Sequence, residues 1–280
     1  MRLADLGIRL SVVAFMIGNL LAIGLETDAR AALAPLRDGR FLAVVMIIDW
    51  LVGPALALAI VRVLPIAEPY AIGLLLISLA PAAPFLPMMV RRAGGDLAST
   101  ATFMLIAAIG TVLLMPLGVP RIVPGLSVDA WAVARPLIIL LFLPMAAGVL
   151  VRTLAAPLSE RLLKIVRPVA SLATVALLIA VAVRHARGFA EAVGSFAIAG
   201  QFLYAVGLVV AGWLVGGRLP RPQRSVVALG ACTRNLGAAL APLLIANPEP
   251  RTIVMVALGV PITLLVTAIA APLMRPRPAA

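Results

Sequence analysis

The sequence predicts an all-α polytopic membrane protein of about nine transmembrane helices, and three observations carry that prediction. Of 280 residues, 63% are hydrophobic and only 12% are charged. The mean hydropathy is +1.15. Apolar runs of about 20 residues, the length that crosses a hydrocarbon core of about 30 Å, use up nearly the whole chain. A membrane β-barrel would alternate apolar and polar positions over short segments, whereas these runs are apolar on every face. The net charge of +12 does not point to nucleic acid, because the basic residues fall in short clusters between the runs. The single cysteine, Cys232, excludes an internal disulfide and a multi-cysteine metal site.

The first run, 8–25, could pass for a signal peptide. It reads as a retained span because no clear A-x-A cleavage site follows and further spans continue downstream. The second, 41–64, carries Asp49. The third, 69–90, contains LAPAAPFLPMM, in which Pro81, Pro84 and Pro87 recur at every third position; each removes a backbone donor, so the helix is expected to break there. The polar link RRAGGD leads into the fourth, 97–118, with Thr100 and Thr102 in its opening turns. The fifth, sixth and seventh follow at 131–151, 168–183 and 195–216, with the sole histidine, His185, expected in solvent in the loop RHARG. The eighth, 226–246, contains CTRN and then Gly237 and Pro242, which makes it the second candidate for interruption. The ninth, 252–272, ends in Pro272-Leu273, as the fourth ends in Pro116-Leu117. Broken run, polar loop and further run thus occur twice, a weak internal repeat. Such a pair of interrupted helices is the sequence-level pointer to a transporter's central binding site.

Assigning alternate loops to opposite sides puts fourteen basic residues on one side and seven on the other. The positive-inside rule makes the richer side cytoplasmic, with the N-terminus outside and the C-terminus inside a cell (inner) membrane. Only Asp49 and Arg234 are ionisable and deep within the runs. Each costs about 2.5 to 3.5 kcal/mol at a helix centre, so neither should face lipid. Both lie about eight positions from the cytoplasmic end, roughly 12 Å deep at 1.5 Å per residue, and so at one height. One reading is an ion pair that only joins helices. The other is a transport site, which the neighbouring Thr233 and Asn235 favour, since a structural pair needs no broken polar turn around it. An enzyme is disfavoured: an intramembrane aspartyl protease needs two carboxylates, and the H-E-x-x-H of a zinc protease is absent. A channel lacks a ring of pore charges or a filter loop. No cofactor and no metal site is expected, and the expected partners are the lipid bilayer and a small organic anion.

The segment LAPAAPFLPMMVRRAGGDLASTATF resembles the first signature of the bile acid:sodium symporter superfamily, which also contains arsenite efflux permeases. Pro81 keeps the proline of that family's PGG, Ala82 and Ala83 stand for its two glycines, and Gly95-Asp96 keep its GD. GACTRNLGAALA resembles the second signature, a glutamate four residues before QN followed by small residues. The resemblance implies an inverted repeat with two interrupted helices crossing in a core, approximately 41–118 and 195–272, beside a panel, approximately 8–25 and 131–183. It further implies symport with sodium held at positions that here read Leu86, Pro87, Thr100, Met104, Gly230 and Arg234. A small hard cation needs hard oxygen ligands, and almost all are gone. A glutamine of the family falls on Asp49. The expectation is therefore that Arg234 takes the place of one sodium ion with Asp49 balancing it, which leaves uniport, exchange or proton coupling through Asp49 open. The substrate carboxylate is expected at the half-helix N-termini near Arg234, with Asn235, Thr233, Thr100 and Thr102 supplying hydrogen bonds. The alternatives are an arsenite permease, whose ACSNN resembles Ala231-Cys232-Thr233-Arg234-Asn235 although Cys232 stands alone, and a non-transporting receptor on the same fold.

Overall fold

A computed structural model of the chain describes residues 3–123, 129–243 and 249–275. Eleven principal helices run in chain order: α1 (Leu3–Glu26), α2 (Gly39–Val63), α3 (Glu68–Ser78), α4 (Leu86–Ala93), α5 (Leu97–Ile122), α6 (Ala130–Leu154), α7 (Ala156–Arg184), α8 (Ala197–Val215), α9 (Arg221–Cys232), α10 (Leu236–Leu240) and α11 (Pro250–Met274). Short helical turns occupy Ala29–Leu33 and Ala186–Ala192. Among the described residues the β structure is one isolated antiparallel bridge, Pro81 with Arg234.

Six of these helices, α2, α5, α6, α7, α8 and α11, are long and apolar enough to cross a membrane. The nine expected runs and these six helices differ for physical reasons. The runs at 69–90 and 226–246 are each divided, into α3 and α4 and into α9 and α10, and the apolar part of α1, Leu10–Glu26, is short. The run expected at 168–183 begins earlier, at Ala156. Arg161, Lys164 and Arg167, expected in a loop, form the early turns of α7, and Pro168 is carried inside it. His185, expected in solvent, is buried where α7 gives way to the turn at Ala186–Ala192.

Several starts and stops follow from local chemistry. Asp38, Asp96 and Asp129 each cap a helix, α2, α5 and α6, by accepting from two backbone N–H groups of its first turn. In RRAGGD the sharp reversal from α4 to α5 uses Gly94 in the left-handed region, φ +65°, which glycine adopts without the clash a Cβ would make. Within α2 and α6 the helix widens to π turns at Ile48–Val52 and Ile138–Phe142. A proline follows each at the same spacing, Pro54 and Pro144. Its missing N–H and its ring displace a carbonyl of the preceding turn, so the ladder re-forms one residue wider.

Two groups of helices pack among themselves. α1 lies along α6 and α7, where Ser159 donates to the Leu25 carbonyl at 2.6 Å and Gly24 meets Gly148 backbone to backbone. Small residues that let backbones touch are the usual means of association in lipid. The second group brings α3, α8, α9 and α11 together, with α2 against α8.

Candidate transport site

Helices α3 and α9 run inward and stop within the protein, and their broken ends meet. The break after α3 covers residues 79–85, and the break after α9 covers Thr233, Arg234 and Asn235. At the crossing the Asn235 N–H donates to the Ala80 carbonyl at 2.8 Å, beside the bridge between Pro81 and Arg234. Each unwound segment thereby satisfies part of the other's backbone, which lipid could not do. Ala82 sits at φ +61° inside the first break. An alanine there is strained, and the positive φ accounts for the glycine that the resembled signature has at that position.

The guanidinium of Arg234 lies behind this crossing, with its side chain fully buried. Nη1 donates to the Ser78 carbonyl at 3.2 Å, one of the last carbonyls of α3 and hence at the negative end of that helix dipole. Nη2 stands 3.9 Å from Asp49 Oδ1, and Asp49 is likewise fully buried. The guanidinium carbon is 5.6 Å from the centre of the Tyr204 ring, within reach of the ring's negative face. A carboxylate, a helix C-terminus and an aromatic face thus converge on one cation. The pair is loose: neither Asp49 oxygen accepts a protein hydrogen bond, and Nε and Nη2 of Arg234 donate none. Asp49 belongs to the π turn of α2, and Gly53 follows that turn. A Cβ on Gly53 would lie 2.9 Å from Nη2, so the missing side chain is the space the guanidinium uses.

On the other side of the crossing opens a cavity of about 1130 Å³ between α1 and α7 and the α4–α5 pair. Its floor includes Ala83, Pro84 and Phe85 from the first break, Leu236 from the start of α10, and Thr100 and Met104 from α5. Arg91, Arg92, Arg152 and Arg167 also line it. Arg167 is paired with Glu26 at 2.6 Å and Arg152 with Glu160 at 3.3 Å.

The residues singled out from the sequence divide between these places. Arg234, Thr100, Pro84 and Pro87 line the cavity, while Asn235 and Pro81 line a small pocket beside it of about 10 Å³. Asp49 faces Arg234 from the far side. Thr233 donates to the Gly230 carbonyl and Thr102 to the Ala98 carbonyl, and neither lines the cavity. The Asn235 side chain accepts from Ala238 N and so starts α10. Gly237 lies inside α10, so the interruption falls one turn earlier, at Thr233–Asn235, and Pro87 opens α4 instead of lying in the break. Sequence reasoning passed over Tyr204, Gly53 and Asn19. The uncharged groups carry no cost large enough to stand out, and the proline at the glycine, Gly53-Pro54, was the available signal. Gly230, where the family's glutamate would stand, has the Phe103 ring against it: a Cβ there would be 2.6 Å from the ring.

No curated protein matches the chain. A protein-family model described as the Sodium Bile acid symporter family matches residues 13–192, from α1 past the first interruption to the end of the Ala186–Ala192 turn.

Proposed function

Because the chain belongs to the sodium bile acid symporter family and is thus a multi-pass membrane transporter, we propose that it carries a small organic anion with Arg234 in place of a coupling sodium ion. The observation that carries the proposal is the buried guanidinium between the Ser78 carbonyl, Asp49 and the Tyr204 ring. A sodium ion needs several hard oxygens at short range. The positions where the family resemblance puts them hold Leu86, Pro87, Thr100, Met104, Gly230 and Arg234, of which only Thr100 keeps a side-chain oxygen, and Phe103 fills the space beside Gly230. The residues present do not fit that ion.

In this reading the substrate carboxylate occupies the cavity side of the crossing, at the N-terminal end of α4, where Pro84, Phe85 and Thr100 line the wall. The fixed positive charge behind the crossing offsets the substrate's charge through the protein without touching it. The nine-span arrangement, the inverted repeat and the division into a core and a panel belong to the same proposal. They are supported by the matched pair of breaks and by the separate packing of α1, α6 and α7. Alternating access then moves that three-helix group against the rest. Arg91, Arg92, Arg152 and Arg167 all fall on the side richer in positive charge, so the cavity faces the cytoplasm of an inner membrane, with the N-terminus outside. Proton coupling through Asp49 is the alternative energy source in this frame.

The test is a thermal-stability scan of the purified protein against organic anions and arsenite, in sodium and in choline buffer at two pH values, followed by uptake in proteoliposomes. A stabilising anion whose shift ignores sodium is the expected result. Arg234→Ala is expected to abolish uptake with insertion intact, and Asp49→Asn to do the same or to move the pH optimum. A shift that appears only with sodium, or normal uptake by both variants, overturns the proposal.

A further inference from the structure

Behind the crossing, outside the cavity, α8 places two polar side chains near the buried ion pair. Tyr204 and Gln201, one helical turn before it on the same face, are both fully buried, as is Asp49. Among the described residues no hydrogen-bond partner meets either oxygen of Asp49, either end of the Gln201 amide, the Tyr204 hydroxyl, or Nε and Nη2 of Arg234. The place a Cβ on Gly53 would take lies 2.9 Å from Arg234 Nη2, 3.3 Å from the Ile48 carbonyl oxygen and 3.5 Å from the Tyr204 hydroxyl. The Gln201 amide packs over Gly259 together with Ile77, the residue before Ser78, whose carbonyl accepts from Nη1.

Packing does not explain these residues. A leucine at 201 and a phenylalanine at 204 would fill nearly the same volume and leave no polar atom unpaired, and a buried unpaired donor or acceptor is costly. A carboxylate, an amide, a phenol and a guanidinium have one small ligand in common, which is water, and a buried site with several such groups is where water resides in protein interiors. Arg234 also borders the cavity, so one residue is common to both places. The charged and titratable groups around Asp49 among the described residues are Arg234 from the second break, Tyr204 from α8 and, beyond them, Cys232 at the end of α9. From α5 the neighbour of the π turn is Gly110, under the Trp50 ring.

We infer that Gln201, Tyr204, Asp49 and Arg234 enclose a hydrated site at which Asp49 exchanges a proton, and that this proton is bound together with the anion on the other side of the crossing. The step breaks an O–H bond of a hydronium ion in the site and forms one on a carboxylate oxygen of Asp49; nothing is oxidised or reduced. Two groups compete for the single positive charge of Arg234. While Asp49 is ionised it neutralises the guanidinium and repels an anion at the crossing. Once Asp49 is protonated, that charge is left to the anion. By linkage, each ligand then favours the binding of the other. The inference rests on the transport reading above and adds to it a proton site on the far side of Arg234.

Infrared difference spectroscopy of the purified protein, titrated without any added anion, tests the site. The expected result is a carboxylic-acid band that grows as pH falls, is absent from Asp49→Asn and shifts on transfer to heavy water. Gln201→Leu and Tyr204→Phe are expected to slow that exchange. Gln201→Leu is also expected to keep or raise the unfolding midpoint, since it removes unpaired polar atoms at nearly constant volume. Calorimetry with pyruvate and with cholate as probes, each in two buffers of different ionisation heat, reads the linkage. Binding is expected to take up a proton, and affinity to fall by up to about tenfold per pH unit above the Asp49 titration. Asp49→Asn is expected to bind with an affinity that ignores pH. No Asp49 band at any pH at which the protein is folded, a band that does not exchange with heavy water, or one displaced by sodium instead of by pH overturns the site. Anion binding without proton uptake overturns the linkage. Proton uptake on binding without transport in proteoliposomes removes the transport reading instead and leaves the site. The infrared result needs no anion, so it decides the site even where neither probe binds.

Discussion

At the scale of single residues the crossing is held by groups in unfavourable settings. Ala82 is the clearest case, since its φ of +61° belongs to the left-handed region and its side chain is buried. For an L-residue that conformation costs roughly 1 to 2 kcal/mol, while a glycine there gives back about 0.4 to 1 kcal/mol through a looser unfolded chain. Ala82→Gly is therefore expected to leave thermal stability unchanged or to raise it by up to about 1 kcal/mol. A clear fall in the unfolding midpoint would show that the alanine methyl contributes packing that outweighs the strain. The strained position was legible in the sequence only by its likeness to a glycine of the family signature, because nothing in alanine itself announces a positive φ. Asp49 and Arg234 were legible for the opposite reason: a charge in an apolar run is costly enough to be seen in one dimension. Tyr204 and Gly53, which complete the guanidinium's surroundings, are ordinary residues in a membrane helix and become visible only when α2, α8 and the second break are brought together.

At the scale of elements the two kinds of helix irregularity differ in how well the sequence foretold them. The break after α3 is written in Pro81 and Pro84, each of which removes a donor. The second rests on Thr233-Arg234-Asn235, whose polar groups compete for the backbone, and its position was harder to fix because Gly237 and Pro242 compete as markers. The π turns were not legible, since one proline in a membrane helix is as compatible with a simple bend as with a widened turn. The contact between α1 and α6 also depends on backbone proximity. A Cβ on Gly148 would stand 2.6 Å from the Leu21 carbonyl oxygen and 2.7 Å from Leu25 N. These are backbone atoms that cannot swing aside, so Gly148→Ala is expected to lower stability by about 1 to 3 kcal/mol. Gly39→Ala, with nothing within 4 Å of its Cβ, serves as the control. Equal thermal midpoints for the two variants would mean that α1 and α6 are free to separate.

At the scale of the whole molecule, the family and the helical membrane architecture were readable from composition, run length and the two signatures. The placing of the cavity was not, because it depends on how the α1–α6–α7 group leans against the rest. Met88 offers a direct check: it is exposed and lines the cavity. Cys232 is buried and so gives a quiet background. Met88→Cys is expected to react with a membrane-impermeant thiol reagent supplied from the cytoplasmic face and to be protected from the outer face. Labelling from the outer face alone would reverse the assigned orientation.

The covalent attachment of the guanidinium has a thermodynamic corollary. A sodium ion bound beside a substrate enters with it and is left behind, whereas an arginine returns with the protein at the end of every cycle and contributes no net charge movement. A monovalent anion carried in this way is the sole charge translocated. A membrane potential negative inside then works on it with about 2.3 kcal/mol per 100 mV, directed outward. Without a second gradient such as a proton's, a transporter built around Arg234 would run as a voltage-driven exporter or an exchanger, and net uptake would require the cell to consume its substrate as it arrives.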